Sequence, residues 1–374
     1  MLQYAPWLVW LVPLVACPLV YVMEAIHPKV RDLFAVLIGF VSAAYALSMV
    51  PDVFAAGLGI LEKETVQEAL LWLPGAVKLK LSVVVDPLSV FMANVAAVIG
   101  AIILVYSLGY MAGEEGLSRY YFFMLLFIGG MIGLVMAGNF IQLYIFWEVV
   151  GLCSYALIGF WYKRPEARRA GMKAFIVTRA GDVCLMMGIA LLFFAIGSFD
   201  FLAAKGAVDT LKAAGLLTPI ALLMFGGAVG KSAQVPLFVW LPDAMEGPST
   251  VSALIHAATM VKAGVYLVAR THLIFHYSLE WLLTVAYIGA ITAFMAATMA
   301  LVATDIKRVF AYSTISQLGY MMAGLGIALS TTDLGWFASQ FHLLSHSIFK
   351  ALLFLCAGAI LHALGPRDMR LMGG

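Results

Sequence analysis

Apolar runs about as long as a bilayer is thick follow one another down this chain with little between them. They occupy roughly residues 7–26, 32–50, 84–109, 119–138, 139–162, 170–197, 217–241, 248–271, 281–303, 307–330 and 335–363. A membrane-spanning helix needs about 20 consecutive apolar residues, so the runs predict about eleven transmembrane helices. The chain is 64% hydrophobic and 11% charged, against roughly 25% charged in soluble domains. The fold class is therefore all-α, a polytopic membrane helix bundle. Short links join most runs, so residues 1–374 form a single transmembrane domain with no soluble domain and no feature suited to nucleic acid.

The positive charges are divided unequally between the loops. One set of alternate loops holds Lys29, Arg31, Arg119, Lys163, Arg164, Arg168, Arg169, Lys307, Arg308, Arg367 and Arg370; the other holds Lys63, Lys78, Lys80, Lys205, Lys212 and Arg270. The positive-inside rule puts the first set in the cytoplasm. The N-terminus is then outside, the C-terminus is cytoplasmic, and the bilayer is an inner or plasma membrane. The longest link, about 51–83, falls outside, and its end (76-AVKLKLSVVV-85) alternates as a short β-strand does. The link 198–216 suits a short surface helix.

Cys17, Cys153, Cys184 and Cys356 lie within predicted helices and form no C-x-x-C, which argues against an iron–sulfur centre. Residues 14–17 faintly suggest a lipoprotein cleavage site, but no Lys or Arg precedes them, so 7–26 reads as a retained helix. Residues 226–232 are Gly-rich before Lys231, yet Phe225 stands where a P-loop needs its first Gly. No flavin, cluster or quinone site is expected, and no cofactor in this chain.

Against this background several ionisable residues stand out. Glu148, Lys231, Lys262, His346 and Lys350 fall near the centres of apolar runs, where a charge costs about 2.5–3.5 kcal/mol even on mild insertion scales. Lys231 lies five residues before Pro236, which cannot donate to the carbonyl of Ser232 and should break the helix. Broken helices at membrane depth survive where they are buried in protein or line a wet cavity, and they mark ion sites in transporters. Arg179 and Asp182 share a helix face; they either neutralise each other, or Asp182 reaches across to Lys231. His256 and Lys262 are about 240° apart around an ideal helix and do not share a face. His342, His346 and Lys350 follow at i, i+4 and i+8 along one stripe. No third ligand accompanies the two histidines, so a proton relay fits better than a metal site. That stripe should face the bundle interior, level with Lys231 and Lys262. The Gly129/Gly133 pair reads as ordinary close helix packing.

Five segments are familiar as a set: 143-LYIFWEVVGLCSYALIGFW-161, 174-AFIVTRAGDV-183, 235-VPLFVWLPDAMEGPSTVSALIHAATMVKAGVYL-267, 304-TDIKRVFAYSTISQLGYM-321 and 341-FHLLSHSIFKALLFL-355. From about Asp86 onward the chain resembles the antiporter-like proton-pumping subunits of respiratory complex I, most closely the subunit 5 or L type. Mrp-type antiporters and F420H2 dehydrogenases hold relatives. The resemblance implies inverted five-helix repeats with a broken helix in each, the first at 119–271, preceded by N-terminal helices and an external loop at 1–110, and an incomplete second repeat at 281–374. It implies that Glu148 and Lys231 form an input pair modulated by Asp182, and that Lys262, His342, His346 and Lys350 form a central relay, to which His256 could pass a proton only through water or groups such as Thr259 and Ser252. It also implies that other membrane subunits of a complex surround the chain, with quinone bound at a different subunit and redox chemistry elsewhere. The family runs to fourteen or more helices, so a fragment or a shortened member is expected here. An Mrp-type Na+/H+ antiporter subunit without a redox partner, and a membrane scaffold with purely structural buried ion pairs, are the alternative readings.

Overall fold

The computed structural model describes residues 2–55, 57, 59–62, 65–73, 79–328 and 334–373. Each of the eleven apolar runs contains a helix, that of 217–241 only as far as Lys231. The helices are α1 (Ala5–Ile26), α2 (Pro28–Ala55), α3 (Pro87–Tyr110), α4 (Leu117–Met136), α5 (Phe140–Ile158), α6 (Pro165–Ile196), the short α7 (Phe201–Gly206) and α8 (Val208–Ala213), α9 (Leu217–Lys231), α10 (Ser249–Ala253), α11 (Met260–Phe275), α12 (Leu279–Val302), α13 (Ile306–Gly326) and α14 (Leu334–Leu364). Nine stretches of the described residues are long and apolar enough to cross a membrane. The two runs that fall short are α9, which is cut to 15 residues by its break, and α13, which carries Lys307, Arg308, Ser313, Thr314, Ser316 and Gln317.

Side-chain caps set several helix starts. Asp86 accepts from Ser89 N–H at 2.8 Å and Ser89 returns the bond, closing a capping box on α3. Asn139 caps α5 through Gln142 N–H at 2.8 Å, Ser278 caps α12, and Asp305 caps α13 through Lys307 and Arg308. The link between α2 and α3 forms a two-stranded antiparallel hairpin, β1 (Val66–Leu73) with β2 (Leu79–Val84). The strand expected at 76–85 is thus found from 79. Residues 76–78, and with them Lys78, lie outside the described residues, as does Lys63. The hairpin is pinned to the α4–α5 link, where Asn139 donates to the Lys80 carbonyl at 2.8 Å and Gln142 accepts from Ser82 N–H at 3.1 Å.

The loops segregate to two faces. Lys205 donates to the Leu61 carbonyl at 3.1 Å, so the links 51–85 and 198–216 share one face. The basic loops share the other, through Lys163–Glu115, Lys173–Asp243 and Arg367–Glu246 ion pairs. The Lys163 ammonium, hydrogen-bonded at 2.8 Å, holds the Glu115 carboxyl below its usual range.

At the centre lies one helix line, 249–275. Every residue from 249 to 272 is buried, walled by α3, α4, α5, α9, α13 and α14. A spanning helix buried all round needs no lipid-compatible face, and this one carries Ser249, Thr250, Ser252, His256, Thr259, Lys262 and Arg270. The line is not a continuous α-helix. Residues 254–258 form a π turn, and Thr259 leaves helical geometry (φ −127°, ψ −110°) before α11 begins. The Thr259 hydroxyl and N–H both bond to the Leu254 carbonyl, at 2.8 and 3.1 Å, which closes the wide turn.

The ends of this line are tied to α3. At the hairpin face Arg270 forms a bidentate pair with Asp86, both fully buried, and Asp86 also accepts from Leu61 N–H at 3.0 Å. Arg270, placed in an outer loop by the sequence, is thus an interior anchor. At the basic face Tyr110 donates to Ser249 at 3.1 Å. Lys307 is corrected in the same way. It is buried rather than in a loop, and its ammonium donates to the carbonyls of Met245 and Gly247 at 2.8 and 2.7 Å.

Candidate functional site

Two ionisable clusters meet where α9 breaks. The break comes at Lys231, ahead of Pro236, and residues 232–242 run as successive turns. The freed polar groups find partners inside the protein. Trp240 Nε1 donates to the Gly230 carbonyl at 3.1 Å, Gln234 Nε2 to the Ser232 carbonyl at 2.9 Å, and Val235 N–H to Thr292 Oγ1 at 3.1 Å. Non-helical backbone at membrane depth requires such compensation.

A seam of glycines brings α6 against α9. A Cβ on Gly181 would lie 2.7 Å from the Gly226 carbonyl, and one on Gly230 3.2 Å from Gly181 Cα. This close approach lets Asp182 on α6 face Lys231 at the end of α9. Their side chains are 3.4 Å apart and buried. Asp182 Oδ1 accepts from Trp147 Nε1 of α5 at 2.5 Å. Lys231 makes no hydrogen bond through its ammonium, which sits 5.8 Å from the Trp147 ring centroid. The charge is balanced by distance alone, so a small movement changes it without breaking a bond.

Glu148, one residue on from Trp147, pairs with Arg179 on α6. The structure therefore brings Glu148, Arg179, Asp182 and Lys231 together as two adjacent pairs, Glu148–Arg179 and Asp182–Lys231, and neither Glu148 with Lys231 nor Arg179 with Asp182 makes an ion pair. One Glu148 oxygen is buried without a partner.

Gly151 completes this wall, since a Cβ there would lie 2.5 Å from Lys231 Nζ. Gly151→Ala is expected to leave the protein as stable as before or up to about 1 kcal/mol more so, because Ala is the better helix former. The methyl group displaces the ammonium from its place beside Asp182. An unfolding midpoint well below that of the wild type would contradict this.

The second cluster lies on α11, α13 and α14. Lys262 Nζ is 2.6 Å from His346 Nδ1, both fully buried. At that distance one nitrogen donates and the other accepts, so the couple shares a proton. His346 Nε2 has no partner. Lys350 is buried and donates to Ser313 at 2.8 Å. His342 Nε2 meets Gln317 Oε1 at 2.6 Å and borders an outward crevice of about 460 Å³, so the upper end of the stripe is only half-buried. His256, in the π turn, packs tilted against Phe354, ring centroids 4.8 Å apart, with both ring nitrogens unpartnered. Among the described residues no ion pair links a carboxylate to this cluster.

One hydrogen bond joins the two clusters. Ser232 Oγ, next to Lys231, donates to the carbonyl of Val261, next to Lys262, at 2.7 Å. Gly264 makes room for it, since a Cβ there would collide with Ser232 Oγ. Sequence reasoning missed Trp147, Gly151, Ser232, Ser313 and Gln317 as partners. The adjacency of Trp147 to Glu148 was the one local hint. No group of three or more His, Cys, Asp or Glu suited to a metal occurs among the described residues.

The family profile described as NADH:quinone oxidoreductase/Mrp antiporter, TM matches residues 137–374, and that for the complex I chain 5 N-terminus matches residues 72–121. F(420)H(2) dehydrogenase subunit L of Methanosarcina mazei is 45% identical over 363 residues, covering 89% of this chain and 52% of that protein. NAD(P)H-quinone oxidoreductase chain 5 of a Synechocystis strain is 46% identical over 314 residues, covering 80% and 45%. The chain thus spans about half the length of these curated relatives. Among solved structures, the Mrp complex from Dietzia sp. superposes with a TM-score of 0.85 at 30% identity, over 96% of this chain and 38% of that one.

Proposed function

The chain belongs to the NADH:quinone oxidoreductase/Mrp antiporter transmembrane family, and from that membership we propose that it is a proton-translocating membrane subunit of a complex I-type oxidoreductase, with an NAD(P)H- or F420H2-driven quinone reductase as its host. The observation that carries the reading is the Lys262–His346 couple, 2.6 Å apart, which joins the most buried helix of the bundle to α14. It lies one backbone residue from the hydrogen bond that leads to Lys231 and Asp182.

In this reading the work of the chain is electrostatic. A Lys231 ammonium 3.4 Å from Asp182 gains about 5 kcal/mol at an effective dielectric of about 20, before desolvation is subtracted. When Asp182 turns to Arg179 or the helix break shifts, that attraction falls. Lys231 then gives up its proton toward Lys262, and His346 and Lys350 pass it on. Glu148 and Arg179 hold the compensating charges. Electron transfer and quinone belong to other subunits, which cover the outer faces of the bundle. The basic loops support a cytoplasmic C-terminus and an outer N-terminus for this chain, in an inner or plasma membrane.

An Mrp-type Na+/H+ exchange is the second reading, favoured by the Dietzia superposition. Proton uptake into vesicles holding the purified chain separates the two, with an imposed potential and no Na+ in one arm and a Na+ gradient in the other. Wild-type flux without Na+, abolished in Lys262→Met, is the expected result. Flux that appears only with Na+ selects the exchanger, and undiminished flux in Lys262→Met refutes the relay.

A further inference from the structure

We propose that a wire of three buried hydroxyls, Ser107–Tyr120–Thr250, admits protons from a cavity on the basic-loop face to the central helix. The proposal rests on the transport reading above and adds its point of entry. The cavity, about 590 Å³, lies between the start of α2, the end of α3 and the start of α4, and is lined by Lys29, Arg31, Asp32, Glu114 and Tyr121, among others, with Ser107 at its floor. Ser107 Oγ is 2.7 Å from Tyr120 Oη, and Tyr120 Oη is 2.9 Å from Thr250 Oγ1. All three residues are essentially inaccessible. Packing alone does not require hydroxyls here, since Val and Phe fill the same volumes without polar atoms to satisfy.

The bonding has the polarity a wire needs. Tyr120 donates to Thr250, so its oxygen is open to a hydrogen from Ser107. Ser107 has a second acceptor, the Ile103 carbonyl at 2.7 Å, between which and Tyr120 its hydrogen can swing. A proton from cavity water joins Ser107 Oγ as the Ser107 hydrogen passes to Tyr120, the Tyr120 hydrogen to Thr250, and the Thr250 hydrogen inward. One proton enters, one leaves, and no oxygen keeps an extra charge. Beyond Thr250, His256 lies six residues on and Lys262 six more, each step about 9 Å along the axis and about 240° around an ideal helix, so each is bridged by water or by intervening hydroxyls such as Ser252 and Thr259. His256, buried with both nitrogens unpartnered, is the acceptor half-way.

The test is proton flux into vesicles containing the full chain as wild type, Lys262→Met, Tyr120→Phe, Thr250→Val and Thr250→Ser, with the unfolding midpoint of each. At least a tenfold loss is expected in Tyr120→Phe and Thr250→Val, with recovery in Thr250→Ser, which restores the hydroxyl. A purely structural role moves the midpoint, not the flux, and gains nothing from Thr250→Ser over Thr250→Val. Should Tyr120→Phe fail to insert, the near-isosteric Thr250→Val carries the test. Wild-type flux in Thr250→Val, with Lys262→Met inactive, overturns the inlet and leaves the transport reading standing. No flux in the wild type, or full flux in Lys262→Met, overturns both.

Discussion

Lys231→Ala is expected to abolish proton translocation, and adding Asp182→Asn to it is expected to restore stability without restoring transport. The single substitution leaves a buried carboxylate whose remaining partner is Trp147 Nε1. Removing one member of a buried pair costs about 3–5 kcal/mol when the other stays charged. Asparagine at 182 removes that charge and can still accept from Trp147, so most of the loss should return. Transport does not return, because the group that releases the proton is gone. Measured together, flux and unfolding midpoint separate a carrier of protons from a packing pair. If the double variant pumps at the wild-type rate, Lys231 and Asp182 only hold the helices together.

An equally large loss of stability is expected at the hairpin-face end of the central helix. Arg270→Ala should destabilise the fold by about 3–5 kcal/mol, because Asp86 remains buried beneath the hairpin with its charge uncompensated. Asp86 also caps α3 and holds the Leu61 N–H, so Arg270→Ala loosens three elements at once. Lys163→Ala is the control. Its pair with Glu115 is exposed on both sides, where solvent and salt screen the attraction and such pairs contribute little. Denaturant midpoints of the two variants should differ severalfold in their shift from wild type, and equal shifts would show that the buried pair is not the tie.

Local patterns were legible in the sequence, and pairings were not. Each apolar run became a helix because length and hydropathy are properties of a segment alone. The interruption between Lys231 and Pro236 was legible because proline acts on its own helix. The break at Thr259 was not. No Gly or Pro marks it, and the π turn is held by the Thr259 side chain within a wholly buried environment. The midplane position of Lys231, Lys262, His346 and Lys350 could be read from their place in the runs, but not which side chain each would meet. Three-residue spacing left open whether Asp182 neutralises Arg179 or reaches across to Lys231; the glycine seam of α6 on α9 turns Asp182 to Lys231 and leaves Arg179 for Glu148. Asp86 and Arg270 are 184 positions apart, and no local pattern joins them. Lys307 looked like any loop lysine until the fold wrapped the 245–247 carbonyls around it.

The helix line 249–275, buried at every residue from 249 to 272, also bears on how the chain is made. It carries two unpaired histidine nitrogens, a lysine and an arginine, and lipid is the one environment in which none of them can rest. Its walls come from both directions along the chain: α3, α4, α5 and α9 are synthesised before it, and α13 and α14 after it. During synthesis the segment must therefore wait, shielded by earlier helices or by the insertion machinery, until some 90 more residues have emerged to close the far side. A ribosome that stops early leaves His256 and Lys262 facing hydrocarbon, an unmistakable mark for membrane quality control. The residues suited to moving charge thus also serve as a built-in inspection of whether assembly has finished.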